Sequence, residues 1–198
     1  MIETLTAPEP TPAAPCDDAE LAARFRAGQA GAFDQIVAAH QPRIVRLVGR
    51  LLDGSYLDGA DDVDDIVQEV FLAVFTNLGR FRGECKLSTW LTTIAVNKCR
   101  SRRRLRRLLP WPPRIVAVQG EPSAKLEADE QHAQVRRAVQ RLKPKYREPI
   151  VLRYFQQMPV PEIGQVLGIS TGAVEVRLSR ARGRLKDILS VWLEKEPK

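Results

Sequence analysis

One proline-rich break divides the chain into two halves. Residues 108–124 read LLPWPPRIVAVQGEPSA and contain four prolines. Proline lacks a backbone N–H and fixes φ, so a stretch punctuated this way neither continues a helix nor sits inside a sheet. On both sides of it apolar residues recur at spacings of three and four, the period of an amphipathic helix, and no strand-like alternation of useful length appears. The expected fold is all-α: two small helical domains joined by a Pro-rich linker. A chain of 198 residues has room for that. The expected boundaries are a disordered, proline-rich tail over 1–17, a first domain over 18–107, the linker over 108–129, a second domain over 130–192 and a short tail over 193–198.

Within the first domain Leu21 and Phe25 sit four apart, and Gly28 suits a helix C-cap. In GAFDQIVAAHQPRIVRLVGRLL the apolar residues keep the helical period, and Pro42 either bends this helix or divides it. DGSYLDGA reads as a loop. DDVDDIVQEVFLAVFTNLGRF places Val63, Ile66, Val67, Val70, Phe71, Val74 and Phe75 on one stripe, with Asp61 or Asp62 as its N-cap. After the short loop GRFRGECK comes STWLTTIAVNKCRSRRRLRR, residues 88–107. Ser88 is its expected N-cap. Trp90, Leu91, Ile94 and Ala95 form its core stripe, with Val96 at the edge, and Trp90 and Phe75 are assigned to the core. The same helix ends in Lys98, Arg100, Arg102, Arg103, Arg104, Arg106 and Arg107 with no acid among them.

Charge is zoned. Residues 17–69 hold eleven acids and five bases, residues 70–107 one acid and ten bases, and residues 134–198 six acids and fourteen bases. Two basic zones suit a polyanion. The acidic zone does not, and it points to a second kind of partner. Cys16, Cys85 and Cys99 lack C-x-x-C spacing or a nearby histidine pair, so neither a zinc site nor a disulfide framework is expected. No apolar run approaches the ~18 residues of a membrane span, and no signal-peptide pattern opens the chain. A cytoplasmic protein with no membrane insertion is the expectation.

The strongest local signal is PEIGQVLGISTGAVEVRLSRAR. Ile163, Val166 and Leu167 face inward on a short helix that ends at Gly168, and Ile169 plugs the turn. Ser170 or Thr171 caps a second helix that turns Val174 and Leu178 inward. This is a helix-turn-helix pattern, whose second helix fits the major groove and reads bases from its N-terminal part. Thr171, Glu175, Ser179 and Arg180 are its exposed candidates. Arg177, Arg182, Arg184 and Lys186 suit phosphates or solvent.

Taken in order, DDVDDIVQEVFLAVF, FRGECKLSTWLTTIAVNKCRSRRR and LRYFQQMPVPEIGQVLGISTGAVEVRLSRARGRL resemble a bacterial sigma factor. The short length resembles the extracytoplasmic-function (ECF) group of the sigma-70 family, which keeps only regions 2 and 4. The resemblance implies a protein that binds core RNA polymerase, at the β′ clamp and at β, and recognises and melts −10 and −35 promoter DNA. In that reading Asp62, Asp65, Gln68 and Glu69 dock on the β′ coiled coil, where an acidic face complements a basic one. Asn77, Phe81, Arg82, Gly83, Glu84 and Asn97 surround a pocket for an unstacked base of the −10 element, with Phe81 equally readable as core packing. Arg100, Arg103 and Arg104 face the −10 strand. Ser170, Thr171, Glu175, Arg177, Ser179, Arg180 and Arg182 meet the −35 duplex. The resemblance also implies an anti-sigma partner, no cofactor and no catalytic residue, since the polymerase does the chemistry.

Two departures stand out. Ser101 replaces an acid found in many members, and Glu175 stands where many have Lys or Arg. Glutamate accepts from a cytosine amino group but repels phosphate. Rival classes fit less well. A metal site on Asp61, Asp65 and Glu69 would place three carboxylates on one exposed helix face with no second ligand set. A nuclease would need a metal or nucleophile constellation that isolated His40 and His132 do not supply. A free-standing operator-binding regulator would leave the acidic helix and residues 70–107 unused.

Overall fold

The computed structural model describes residues 18–52, 61–108 and 126–193. The expected N-terminal tail, the DGSYLDGA loop, the linker as far as residue 125 and the last residues of the C-terminal tail lie outside the described residues. Among the described residues there are helices and no strand. The first unit is built from α1 (Asp18–Arg26), α2 (Ala32–Leu51), α3 (Asp61–Asn77), a 3-10 turn (Leu78–Arg80) and α4 (Leu87–Leu108). The second is built from α5 (Leu126–Arg141), α6 (Pro144–Ile150), a π-helical turn (Val151–Phe155), α7 (Val160–Leu167) and α8 (Thr171–Leu193). α5 thus begins inside the 108–129 stretch assigned to the linker.

The periodic stripes become the core. Ile36, Ile44, Leu47 and Leu51 of α2, Ile66, Val70 and Val74 of α3, and Leu91, Ala95, Val96 and Cys99 of α4 are all buried together. At roughly 1.5–3 kcal/mol for each fully buried large aliphatic side chain, this packing fixes the unit far more strongly than helix propensity does. α2 is continuous across Pro42, so the proline does not divide it. α4 starts at Leu87, one residue before the expected cap. The Lys86 carbonyl accepts from the N–H groups of Thr89 (3.0 Å) and Trp90 (3.1 Å), and Ser88 lies inside the first turn. α3 begins at Asp61, so Asp61 and Asp62 both belong to its first turn.

In the second unit Pro149 sits within α6 and removes one helical donor. The chain then widens into the π turn, where Gln156 N–H donates to Val151 O, five residues back, at 3.1 Å. This turn packs against α2, and α7 packs against α4, so the two units share one continuous apolar core. Polar contacts trim the join. Arg43 Nε donates to Gln156 Oε1 at 2.5 Å, Thr89 Oγ1 donates to Glu162 Oε2 at 3.0 Å, and the Arg50 guanidinium lies 4.6 Å over the Phe155 ring. Arg147, only 2% exposed, donates to the carbonyls of Leu51 (3.0 Å) across the join, of Leu142 (3.0 Å) and of Gln140.

Candidate functional site

Four surfaces carry the residues singled out by sequence. The first is the outer face of α3, where Asp65, Gln68 and Glu69 are exposed. The face continues into Leu72 and Phe75, which are 67% and 52% exposed. Phe75 therefore does not belong to the deep core to which its periodicity assigned it. Its ring closes a cluster with Phe25 (5.4 Å between centroids) and Phe33 (5.0 Å) and leaves one side to solvent. Asp62 departs from its expected place as well. It is buried, and it accepts from Arg102 Nη2 at 2.9 Å and Arg106 Nη2 at 3.5 Å. The helix turns it away from Asp65 and toward α4, so its carboxylate ties the two helices together.

The second surface is the loop between α3 and α4. Arg80, Phe81, Arg82, Glu84, Cys85 and Trp90 line an open pocket of about 300 Å³. Gly83 takes φ +75° at the loop tip, a conformation that L side chains rarely adopt. Phe81 is buried, with its ring 5.2 Å from Trp90, so it lines the pocket while packing in the core. Asn77 and Asn97 are exposed but do not line this pocket. Asn77 also turns its amide back to donate to Ala73 O at 2.8 Å. Burial, with the carboxylates of Glu84 and Glu162 near it, pushes the Cys85 thiol pKa up.

The third surface is the cationic half of α4, which is divided among three acids. Lys98 lies 3.2 Å from Glu69, and Arg102 and Arg106 hold Asp62. Arg100 and Arg103 both reach Glu148 of α6, Arg100 at 2.7 Å. Glu148 and Arg103 are 3% and 5% exposed. Removing such charges from water costs several kcal/mol per ion, which excellent geometry and charge-assisted hydrogen bonds offset. Here one carboxylate engages two guanidinium groups, while Arg103 Nη1 stays buried without a hydrogen-bond partner. Arg100 Nη1 also approaches Leu167 O at 3.5 Å. Expected as −10 contacts, Arg100 and Arg103 here spend their donors on the second unit. Arg104 remains exposed, as does Asn97 about two turns before it.

The fourth surface is the α7–α8 pair. Gly168 caps α7 with φ +68°, and Ile169 N–H donates to Gly164 O at 3.0 Å. A Cβ on Gly164 would lie 2.9 Å from Ile169 O, so the turn needs glycine there. Ser170 is the cap of α8, its Oγ accepting from Ala173 N–H at 3.3 Å. Val174, Leu178 and Ala181 are buried, whereas Thr171, Glu175, Ser179, Arg180 and Arg182 are exposed and Arg177 is half-buried. Glu175, Val176, Ser179 and Arg182 line an open groove of about 600 Å³ with Arg153 and Tyr154. On the opposite flank Arg184 lies 4.8 Å over the Tyr146 ring.

Sequence reasoning missed Arg147, Glu148 and Gly164. The first two stand in KYREPIVL, flanked by Tyr146 and Ile150 at core spacing, so a charged pair inside a buried helix was the available signal. Gly164 offers none, because its need arises from the approach of a carbonyl five residues on.

Two packed helical units, one carrying an acidic helix face beside a cationic helix and the other a helix-turn-helix, define an all-α protein of the helix-turn-helix class. Known proteins match over both units. The family model described as Sigma-70 region 2 matches residues 36–108, and that described as Sigma-70, region 4 matches residues 132–185. The ECF RNA polymerase sigma factor SigM of Mycobacterium tuberculosis is 33% identical over 173 residues, covering 87% of this chain and 84% of SigM. The RNA polymerase sigma factor CnrH of Cupriavidus metallidurans is 32% identical over 190 residues, covering 90% of this chain and 97% of CnrH. A solved structure of CnrH in complex with the cytosolic domain of CnrY superposes with a TM-score of 0.66, covering 89% of this chain and 99% of that one. The chain belongs to the ECF group of the sigma-70 family. It is a sigma factor and acts in promoter-specific transcription initiation by RNA polymerase. Among the described residues no helix is long and apolar enough to cross a membrane.

Proposed function

We propose that the chain works in two conformations and that its four surfaces divide the work of initiation. Asp65, Gln68 and Glu69, extended by exposed Leu72 and Phe75, dock on the β′ clamp of core polymerase. The loop pocket with Arg82, Gly83 and Glu84, together with Asn97 and Arg104, holds the −10 strand as it opens, with Asn77 at the edge. Ser170, Thr171, Glu175, Ser179, Arg180 and Arg182 meet the −35 duplex, with Arg177 beside them. The chain brings recognition and strand capture, and the polymerase brings the chemistry. Such work belongs in the cytoplasm.

The observation that carries this reading is the coexistence, on one chain, of an exposed acidic and apolar α3 face and an exposed helix-turn-helix face. A regulator that binds DNA alone has no use for the former. Arg100 and Arg103 join the −10 contacts only once Glu148 releases them, so the packed arrangement is the resting one. A solved relative bound to the cytosolic domain of another protein supports a protein partner of the anti-sigma kind for this chain as well.

The test is promoter opening with the chain and core polymerase. Asn97→Ala should lower permanganate reactivity of thymines at −10 and leave the initial duplex footprint in place. Unchanged reactivity would remove Asn97 from the strand-holding set. Arg180→Ala should weaken initiation from a promoter with an intact −35 element and have little effect on one with a scrambled element.

A further inference from the structure

The exposed strip of α8 is not uniformly cationic. Glu175, Val176 and Ser179 occupy its outward side, and Val176 is 49% exposed. The cations stand on its flanks. Arg153 and Arg182 share the groove with Glu175, while on the other side Arg184 lies over the Tyr146 ring with exposed Arg180 one turn before it. No ion pair to Glu175 is found among the described residues. This layout matches a helix that lies in a groove between two phosphate rows: cations at the edges and neutral or acidic groups in the middle.

We propose that Glu175 is a specificity-determining residue of the −35 contact and that it selects a cytosine. The inference rests on the reading of α8 as the −35 helix and deepens it. A carboxylate only accepts hydrogen bonds, and it is repelled by phosphate, so in a DNA groove it is stabilised only against a donor. In the major groove the donors on base edges are cytosine N4 and adenine N6. Adenine presents its N7 acceptor beside N6, which opposes a carboxylate, and thymine and guanine present acceptors where the donor is needed. Cytosine satisfies Glu175 best. The residue lies one turn into α8, the part of a recognition helix that reaches base edges. Glutamine at the same position would pair a donor with an acceptor and so match adenine through N6 and N7.

The experiment is selection of a duplex library, randomised over promoter length, by holoenzyme assembled from core polymerase and the full chain. Wild type, Glu175→Ala and Glu175→Gln are compared. Because Glu175 is exposed and its side chain fills no core space, the variants keep the fold. The wild type should favour cytosine at one −35 position by about fivefold or more, as expected of a direct base contact. Glu175→Ala should flatten that position and leave the others unchanged, and Glu175→Gln should move the preference to adenine. A cytosine preference that survives in Glu175→Ala would overturn the assignment of Glu175 while leaving the −35 reading intact. Selected promoters with no upstream element at all, even for wild type, would overturn both.

Discussion

Arg100 Nη2 lies 2.7 Å from Oε2 of Glu148, across the join between the two helical units. With Arg103 on the other carboxylate oxygen, this contact holds two cations of α4 on the unit that carries the helix-turn-helix. The same guanidinium groups cannot serve Glu148 and a DNA strand at once.

Glu148→Gln should therefore loosen the join. Removing one partner of a buried ion pair costs about 3–5 kcal/mol because the other charge stays buried. Here two guanidinium groups would be left facing each other. Solution scattering should show a larger radius of gyration, and nonspecific DNA affinity should rise with a steeper salt dependence as two cations become available. Glu162→Gln, at the more exposed edge where Lys86 and Thr89 approach, should move both readouts far less. An unchanged radius for Glu148→Gln would mean that apolar packing alone holds the units together.

The acids of α3 should separate into two classes. Asp62→Asn breaks a buried contact with Arg102 and Arg106, and it should lower the urea midpoint by the equivalent of about 1–3 kcal/mol. Asp65→Asn and Gln68→Ala change exposed side chains and should leave the midpoint within about 0.5 kcal/mol. Both should weaken co-elution with core polymerase. Loss of stability in the Asp65 variant, or of polymerase binding alone in the Asp62 variant, would reverse the division.

Gly164→Ala should damage the helix-turn-helix from within. The new Cβ meets the Ile169 carbonyl at 2.9 Å, and both partners are backbone, so the turn must shift. A cost of about 1–3 kcal/mol is expected from overpacking, together with weaker −35 binding because α8 is displaced. Gly172→Ala, with nothing within 4 Å of its Cβ, is the control and should leave the melting temperature close to wild type. Equal melting temperatures for the two variants would refute the close-approach account.

Cys99 gives a pH signature. Burial raises its thiol pKa from 9.0 to about 12, and the nearby Glu148 carboxylate adds to the rise while Arg103 opposes it. The folded state thus binds the proton more tightly than the unfolded chain. Its contribution is full below pH ~9 and is lost as pH climbs toward about 12, by about 1.4 kcal/mol per pH unit. The stability gap between wild type and Cys99→Ala should narrow from pH 8 to pH 10 in urea titrations. In the folded protein Cys99 should also resist alkylation at pH 8. A gap that stays constant with pH would show that the thiol is not held protonated by the fold.

The helices were legible because their apolar residues repeat without ambiguity, and Ile163, Val166, Leu167, Val174 and Leu178 all face inward as their spacing requires. Charge was less legible. A run such as CRSRRRLRR states how many cations there are, but a helix sends successive residues about 100° apart, and only the neighbours decide each one's role. Thus Arg103 is buried on Glu148, Arg102 pairs with Asp62 and Arg104 is left exposed. Asp62 and Asp65 look alike in sequence, yet one packs against α4 and the other faces outward. Glu148 was hidden for the same reason, since its partners lie more than forty positions away.

This chain gives core RNA polymerase its promoter specificity. The most direct measurement is run-off transcription with core polymerase and the purified chain on a pool of genomic fragments from the source cell, with start sites mapped. Discrete starts should appear only when the chain is added, each preceded by shared −10 and −35 sequences. Absence of chain-dependent starts, with the chain failing to co-elute with core polymerase, would contradict it.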